Sequence, residues 1–256
     1  MRLFTIALNT FKESIRNKIL IGVLLFSVLI IISTMVLVQL TIGQWMKITV
    51  DIGMGAISLF GNLMAIFLGI NLVAREIDRK TVYTIVSKPI KRYEFIISKY
   101  LGLIITIFVN VVLMLIILLL ILKFYVRYDI PYLGTIQAFY FLILEFMIIS
   151  AIAIFFSTFS TPIMSATFAL TLWFIGHLLS DLKFWSMKSE NEAFKFLINV
   201  IYYILPDLEL LNLKSNIVYQ ITADTGYIVW VTAYSLLYAI IMLIASILIF
   251  EKRDFK

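Results

Sequence analysis

The chain has no cysteine, a single histidine and four prolines in 256 residues. The first absence removes disulfides, thiolate metal sites and cysteine nucleophiles. One histidine cannot build a metal cluster unaided. Charge is scarce as well: 14% of residues are Asp, Glu, Lys or Arg, against roughly 25% in a typical soluble domain. Hydrophobic residues make up 62%, more apolar surface than a water-soluble fold of this size could hide. The chain therefore reads as an integral membrane protein. Its apolar runs are continuous rather than alternating, which selects helices over a barrel. A net charge of +6 invites a nucleic-acid reading, but in a membrane protein the placement of charge outweighs its sum, and no nucleic-acid partner is expected.

Six segments are long enough to cross about 30 Å of hydrocarbon: approximately 19–40, 52–74, 94–122, 133–159, 162–182 and 227–250. The expected fold is all-α, a polytopic protein forming a single transmembrane domain over 1–256. A seventh apolar run, Phe194 to Leu205, is too short and contains Lys195 and Asn199. It reads as an interfacial or re-entrant helix within a polar outer region, 183–226.

Placing both termini and the 75–99 loop in the cytoplasm leaves 14 Lys and Arg inside and 7 outside, as the positive-inside tendency asks. Both termini inside requires an even number of crossings, and six fits. Trp45, Trp185 and Trp230 then fall near the outer interface. The expected location is the plasma (inner) membrane, multi-pass. The first span ends in Leu37-Val38-Gln39-Leu40 without a small-residue cleavage site, so it is expected to be retained.

Residues 2–18 carry Phe4, Ala7, Leu8, Phe11 and Ile15 at helical spacing, with Lys12, Glu13, Arg16 and Asn17 mostly opposite. That pattern suits an amphipathic helix lying in the cytoplasmic interface. It equally suits a basic flank that orients the first span. Between the fourth and fifth spans, Thr161 as N-cap and Pro162 at the first helical position predict a clean helix start and an antiparallel hairpin.

The densest charge lies in one loop, with Arg75, Arg79, Lys80, Lys88, Lys91 and Arg92 between two apolar runs. Arg75 to Val86 can continue the second span as a helix. Pro89 forces a turn near Ser87-Lys88-Pro89, and a new helix starts around Arg92. A turn continuous with a span at each end can transmit force. The competing reading is a solvated loop touching anionic headgroups.

Here the residues resemble a known family. Glu76-Ile77 with Lys80-Thr81, then Ser87-Lys88-Pro89-Ile90 and Arg92, then Ser98-Lys99-Tyr100-Leu101-Gly102 look like the signature of type-2 ABC-transporter permeases. Ser98 stands where many members have glycine. Phe11-Lys12-Glu13 with Arg16-Asn17-Lys18 is similar to the family's elbow helix, particularly in the subgroup holding the permease of nitrous-oxide reductase maturation. Leu205-Pro206-Asp207-Leu208-Glu209 resembles a Pro-containing stretch before the family's last span. The likeness is strong over roughly 1–102 and weaker over 130–250.

The resemblance implies a six-span subunit that dimerises, as a homodimer or pseudo-dimer, and exports or extracts a substrate the sequence does not identify. It implies that 75–92, with Arg75, Glu76, Arg79, Lys80, Thr81, Ser87, Lys88, Pro89 and Arg92, couples to a separate ATPase, and that 183–226 forms outer re-entrant helices. The chain contains no Gly-x-x-x-x-Gly-Lys-Ser/Thr loop to cradle phosphates. It is therefore not an enzyme by itself, and ATP and Mg are expected on the partner.

Several polar residues fall inside spans. An ionised Glu145 near mid-membrane costs roughly 2.5–3.5 kcal/mol, so it needs a partner, a proton, or water. The preferred reading is a protonated acid bonded to a neighbouring helix, with a substrate or proton contact as the alternative. His177 is a plausible partner. Asn62, Asn71 and Asn110 read as interhelical glue at about 0.6 kcal/mol each. Gly61, Ala65 and Gly69 form a small-residue stripe, used either within the subunit or at a dimer seam.

Two other functions fit the residues less well. An intramembrane enzyme needs clustered acids, His or Cys, whereas Asp and Glu look dispersed, and Asp-x-x-Asp, His-Glu-x-x-His and Gly-x-Ser-x-Gly are absent. A passive channel or membrane anchor would carry a polar stripe along a span, and none of the six does.

Overall fold

A computed structural model describes residues 2–39, 43, 45–78, 92–127, 132–219 and 221–252. Among them there is no strand. The helices are α1 (Arg2–Ile15), α2 (Lys18–Gln39), α3 (Trp45–Asp78), α4 (Arg92–Leu120, prolonged by a π-helical turn Ile121–Tyr125), α5 (Tyr132–Phe159), α6 (Pro162–Lys188), α7 (Glu192–Ile204), α8 (Lys214–Tyr219) and α9 (Thr225–Lys252). A 3-10 turn, Glu209–Leu211, precedes α8. Six of these helices, α2 to α6 and α9, are long and apolar enough to cross a membrane. This is an all-α polytopic membrane protein.

Two helices outrun the spans read from hydropathy. α3 begins at Trp45 rather than near 52, taking in Lys47 and Asp51, and α6 reaches Lys188 rather than 182. Hydropathy marks where hydrocarbon ends, but a helix runs on until its backbone bonds lose partners. The N-terminus of α6 follows its expected chemistry: the Thr161 side chain accepts from Met164 N, and Pro162 occupies the first turn.

The bundle has a centre and a rim. The apolar windows of α3 and α5 are 72% and 67% buried, against 22% for α2, α6 and α9. Contact between the two central helices explains the small-residue stripe. A Cβ at Gly61 would collide with the Phe146 ring of α5, one at Gly69 would stand 3.0 Å from Ala153 Cβ, and Ala65 between them is fully buried. The stripe is spent within the chain, where close approach maximises dispersion contact.

α1 lies along α4 through a face that apolar periodicity does not mark. The buried residues are Ala7, Thr10 and Ser14, whereas Leu8 and Ile15 are exposed. Small side chains are what a tight helix crossing needs, which releases the bulky apolar ones to face lipid. The crossing is tight at Gly102, where a Cβ would stand 2.6 Å from both Ala7 O and Thr10 Cβ.

Between α6 and α9, α7, the 3-10 turn and α8 form a cap over one end of the bundle. Asn191 caps α7 by accepting from Ala193 N and Phe194 N, and α7 buries only Ile198. α7 and the 209–219 stretch meet at a 53° bend. By length and composition that pair could count as a seventh crossing.

Candidate functional site

Two regions concentrate the chain's polar chemistry, one at each end of the bundle. At the first, residues 79–91 lie outside the described residues, including Arg79, Lys80, Thr81, Ser87, Lys88 and Pro89. α3 carries Arg75 and Glu76 to the edge of this segment and ends at Asp78.

Its other edge is firmly anchored. Arg92 Nη1 donates to the carbonyls of Phe250 and Glu251 at 3.0 and 2.8 Å, satisfying the C-terminal end of α9 and its dipole. Phe95 stacks on Phe250 with centroids 5.9 Å apart. One turn further, buried Lys99 reaches Glu13 of α1 at 3.7 Å and lies over the Phe95 ring. Lys12, Glu13 and Arg16 point outward, and Phe11 is half-buried. Glu13 and Ser14 also line a small cavity with Leu68, Asn71 and Leu72 of α3. α1 thus packs on α4 and borders a cavity shared with α3, the two helices that flank 79–91.

The second region begins at mid-membrane. Glu145 of α5 is completely buried, and its Oε1 accepts from Asn62 Nδ2 of α3 at 2.6 Å. The same oxygen lies 3.0 Å from His177 Nε2 of α6. The other imidazole nitrogen, Nδ1, faces Glu209 Oε2 at 3.6 Å, an ion-pair separation too long for a hydrogen bond. Glu209 Oε1 in turn accepts from Asn212 Nδ2 at 2.9 Å. Burial pushes the Glu209 carboxyl up, but the facing imidazole, the Asn212 amide and the Lys214 charge outweigh it and hold the group below its ordinary range.

The cap is locked in place beside this chain. Leu208 N donates to Gly176 O at 3.0 Å, an approach that a Cβ on Gly176 would block at 2.8 Å from Leu208 Cδ1. Asp207 is buried; its carboxylate accepts from Ser180 and from Glu209 N, and its own N–H donates to Tyr234 OH of α9. An open cavity of about 290 Å³ adjoins the imidazole, walled by Ser58 and Leu59 of α3, Trp173 and Phe174 of α6, and Lys214 of α8.

The comparison with protein families decides what kind of molecule carries this arrangement. The model of the family described as ABC-2 family transporter protein matches residues 4–255. The chain belongs to the ABC-2 transporter family. No curated protein matches it. As an ABC-2 protein it is a membrane transport component rather than a catalyst.

For this ABC-2 protein the structure brings together Asn62, Glu145 and His177 of the expected intramembrane set. Asn110 stands apart: its Nδ2 donates to Thr106 O of its own helix, as that of Asn71 does to Phe67 O. In both, back-bonding replaces the expected interhelical link. Acids that look dispersed along the chain are in part gathered, since Glu145 and Glu209 flank one imidazole. In the sequence Asp207 and Glu209 stand out only as part of a Pro-containing stretch. Charged residues beside Pro206, just before a span, were the signal that could have placed them in the site.

Proposed function

We propose that this chain is the permease subunit of an ATP-binding-cassette transporter that exports or extracts its substrate, driven by a separate ATPase docked on 75–92. The observation carrying this reading is the double anchoring of that segment's flanks. α3 runs unbroken for 34 residues from one end of the bundle into it. On its far side, α4 is pinned by Arg92 to α9 and by Lys99 and Gly102 to α1. A push on the segment is therefore delivered to helices that cannot yield locally.

Two copies, identical or paired with a relative, would alternate access by rigid-body motion, with ATP and Mg held by the partner. Both termini would be cytoplasmic. The elbow-like α1, with Leu8 and Ile15 turned outward, is suited to the same interface. The cavity between α3 and α6 is the candidate cargo route, because among the described residues it is an open concavity that reaches His177 of the interior polar cluster.

The test uses the complex purified with its ATPase. Glu76→Ala and Lys88→Ala should leave assembly and basal hydrolysis intact while transport falls at least tenfold. Normal transport in both variants would remove the coupling role. Arg92 is a poor probe for this purpose, because its loss also uncaps α9.

A further inference from the structure

We propose that Glu145 is a proton-binding site in the membrane interior, loaded from the cap face of the bundle through His177 and Glu209. This goes beyond the transporter reading and stands without it.

The first support is an accounting of buried acceptors. Asn62 and Glu145 already share one hydrogen bond, Nδ2 to Oε1. Their second oxygens, Asn62 Oδ1 and Glu145 Oε2, are both buried without a hydrogen-bond partner among the described residues. Two acceptors cannot satisfy each other. A proton on Oε2 supplies the missing donor and converts the contact into a cyclic acid–amide pair. It also removes a bare charge from hydrocarbon.

The second support is the route. An imidazole with a carboxylate at each ring nitrogen is a two-ended conductor, because it can take a proton at one nitrogen and release another from the opposite one. Here Nδ1 faces Glu209, half-exposed at the cap, and Nε2 faces Glu145. A hydronium proton is taken by the Glu209 carboxylate and passed from its Oε2 to Nδ1 as the 3.6 Å gap closes to hydrogen-bond distance. The proton on Nε2 then moves to Glu145 Oε1, and exchange between the two carboxyl oxygens brings it opposite Asn62 Oδ1. The Glu209 carboxylate is regenerated and the imidazole is left neutral as its Nδ1–H tautomer, so one proton has moved from solvent to Glu145; tautomer exchange restores Nε2–H before a second proton can follow.

The charged groups that act on His177 are Glu145 from α5, Glu209 from the 3-10 turn and Lys214 from α8; α3 contributes the uncharged Asn62 amide to the cluster, and Trp173 on α6 sets its ring edge-on to the imidazole. From α9, Tyr227 feels Glu209 and the buried Asp207. Lys214 beside the entrance offsets one of the two carboxylates.

Infrared spectroscopy of the full chain in lipid vesicles, without ATPase or nucleotide, tests the proposal separately from transport. A carboxylic-acid C=O band should be present at neutral pH and be lost in Glu145→Gln. Glu145→Asp keeps an acid and should retain a shifted band, which covers the case where the amide variant misfolds. After transfer to D2O, the band's shift should slow at least tenfold in His177→Gln and in Glu209→Gln. An acid band unchanged by both Glu145 variants would overturn the site. Equal exchange rates in wild type and both relay variants would overturn the route.

Discussion

Arg92 and Phe250, 158 positions apart, are joined by a hydrogen bond from the guanidinium to the last turn of α9. The start of α4, which follows the basic stretch of sequence, is thereby tied to the end of the final span. Arg92→Ala should cost about 1–2 kcal/mol, since two charge-assisted bonds to backbone carbonyls are lost. Thermal unfolding of the purified chain would read this as a Tm lowered by several degrees. Arg92→Lys should recover part of the loss, because a single ammonium still faces the helix dipole. An unchanged Tm in the alanine variant would show that the cap adds nothing.

Gly102→Val tests the seating of α1. A β-branched side chain there meets Ala7 O and Thr10 Cβ, so α1 must lift away from α4. Trypsin cleavage after Lys12 and Arg16 should then accelerate several-fold with the rest of the bundle intact. Cleavage at the wild-type rate would show that α1 is held by something other than this crossing.

Removing the Glu145 side chain should hurt more than neutralising it. Glu145→Leu removes the acceptor of His177 Nε2 and one of the two acceptors of Asn62 Nδ2, which keeps its bond to Ser58 O, at about 1–3 kcal/mol for the lost buried contacts. Glu145→Gln keeps an oxygen for both and should cost less. Detergent-solubilised unfolding of the two variants gives the order, and a leucine variant as stable as the glutamine one would contradict the network.

Glu209 makes the cap's docking depend on pH. Its folded-state carboxyl is held below the ordinary value, so its contribution is complete above the unfolded pKa of about 4.3. That contribution is lost as pH falls through the lowered folded value. Hydrogen exchange across 205–213, corrected for intrinsic rates, should show protection at pH 7 and opening below about pH 4. Glu209→Gln should remove most of the acid step while lowering protection at pH 7. Because the side chain is 42% exposed, solvent screening keeps the effect modest.

Some of this architecture could be read directly from the amino-acid order, and the reason is locality. Long apolar runs choose helices because hydrocarbon leaves each backbone group only its own helix for a partner. Thr161 and Pro162 start α6 through atoms three residues apart. The family signature at 76–102 is likewise contiguous.

What the order of residues could not decide is which faces meet. α1 buries Ala7, Thr10 and Ser14 rather than its larger apolar residues, because a close crossing at Gly102 rewards small side chains over hydrophobic ones. Asn62 and Asn110 are the same residue type in neighbouring spans, yet only Asn62 meets an acid on a facing helix. Glu145, His177 and Glu209 are separated by 32 residues at each step, and their alignment exists because Gly176 lets the cap reach α6. Composition thus determined a helical membrane protein whose basic residues concentrate in one stretch of sequence. Only tertiary packing placed two carboxylates on one imidazole, since the contact depends on the rotation of α5 and α6 about their axes and on the docking of the cap, which apolar periodicity in lipid leaves undetermined.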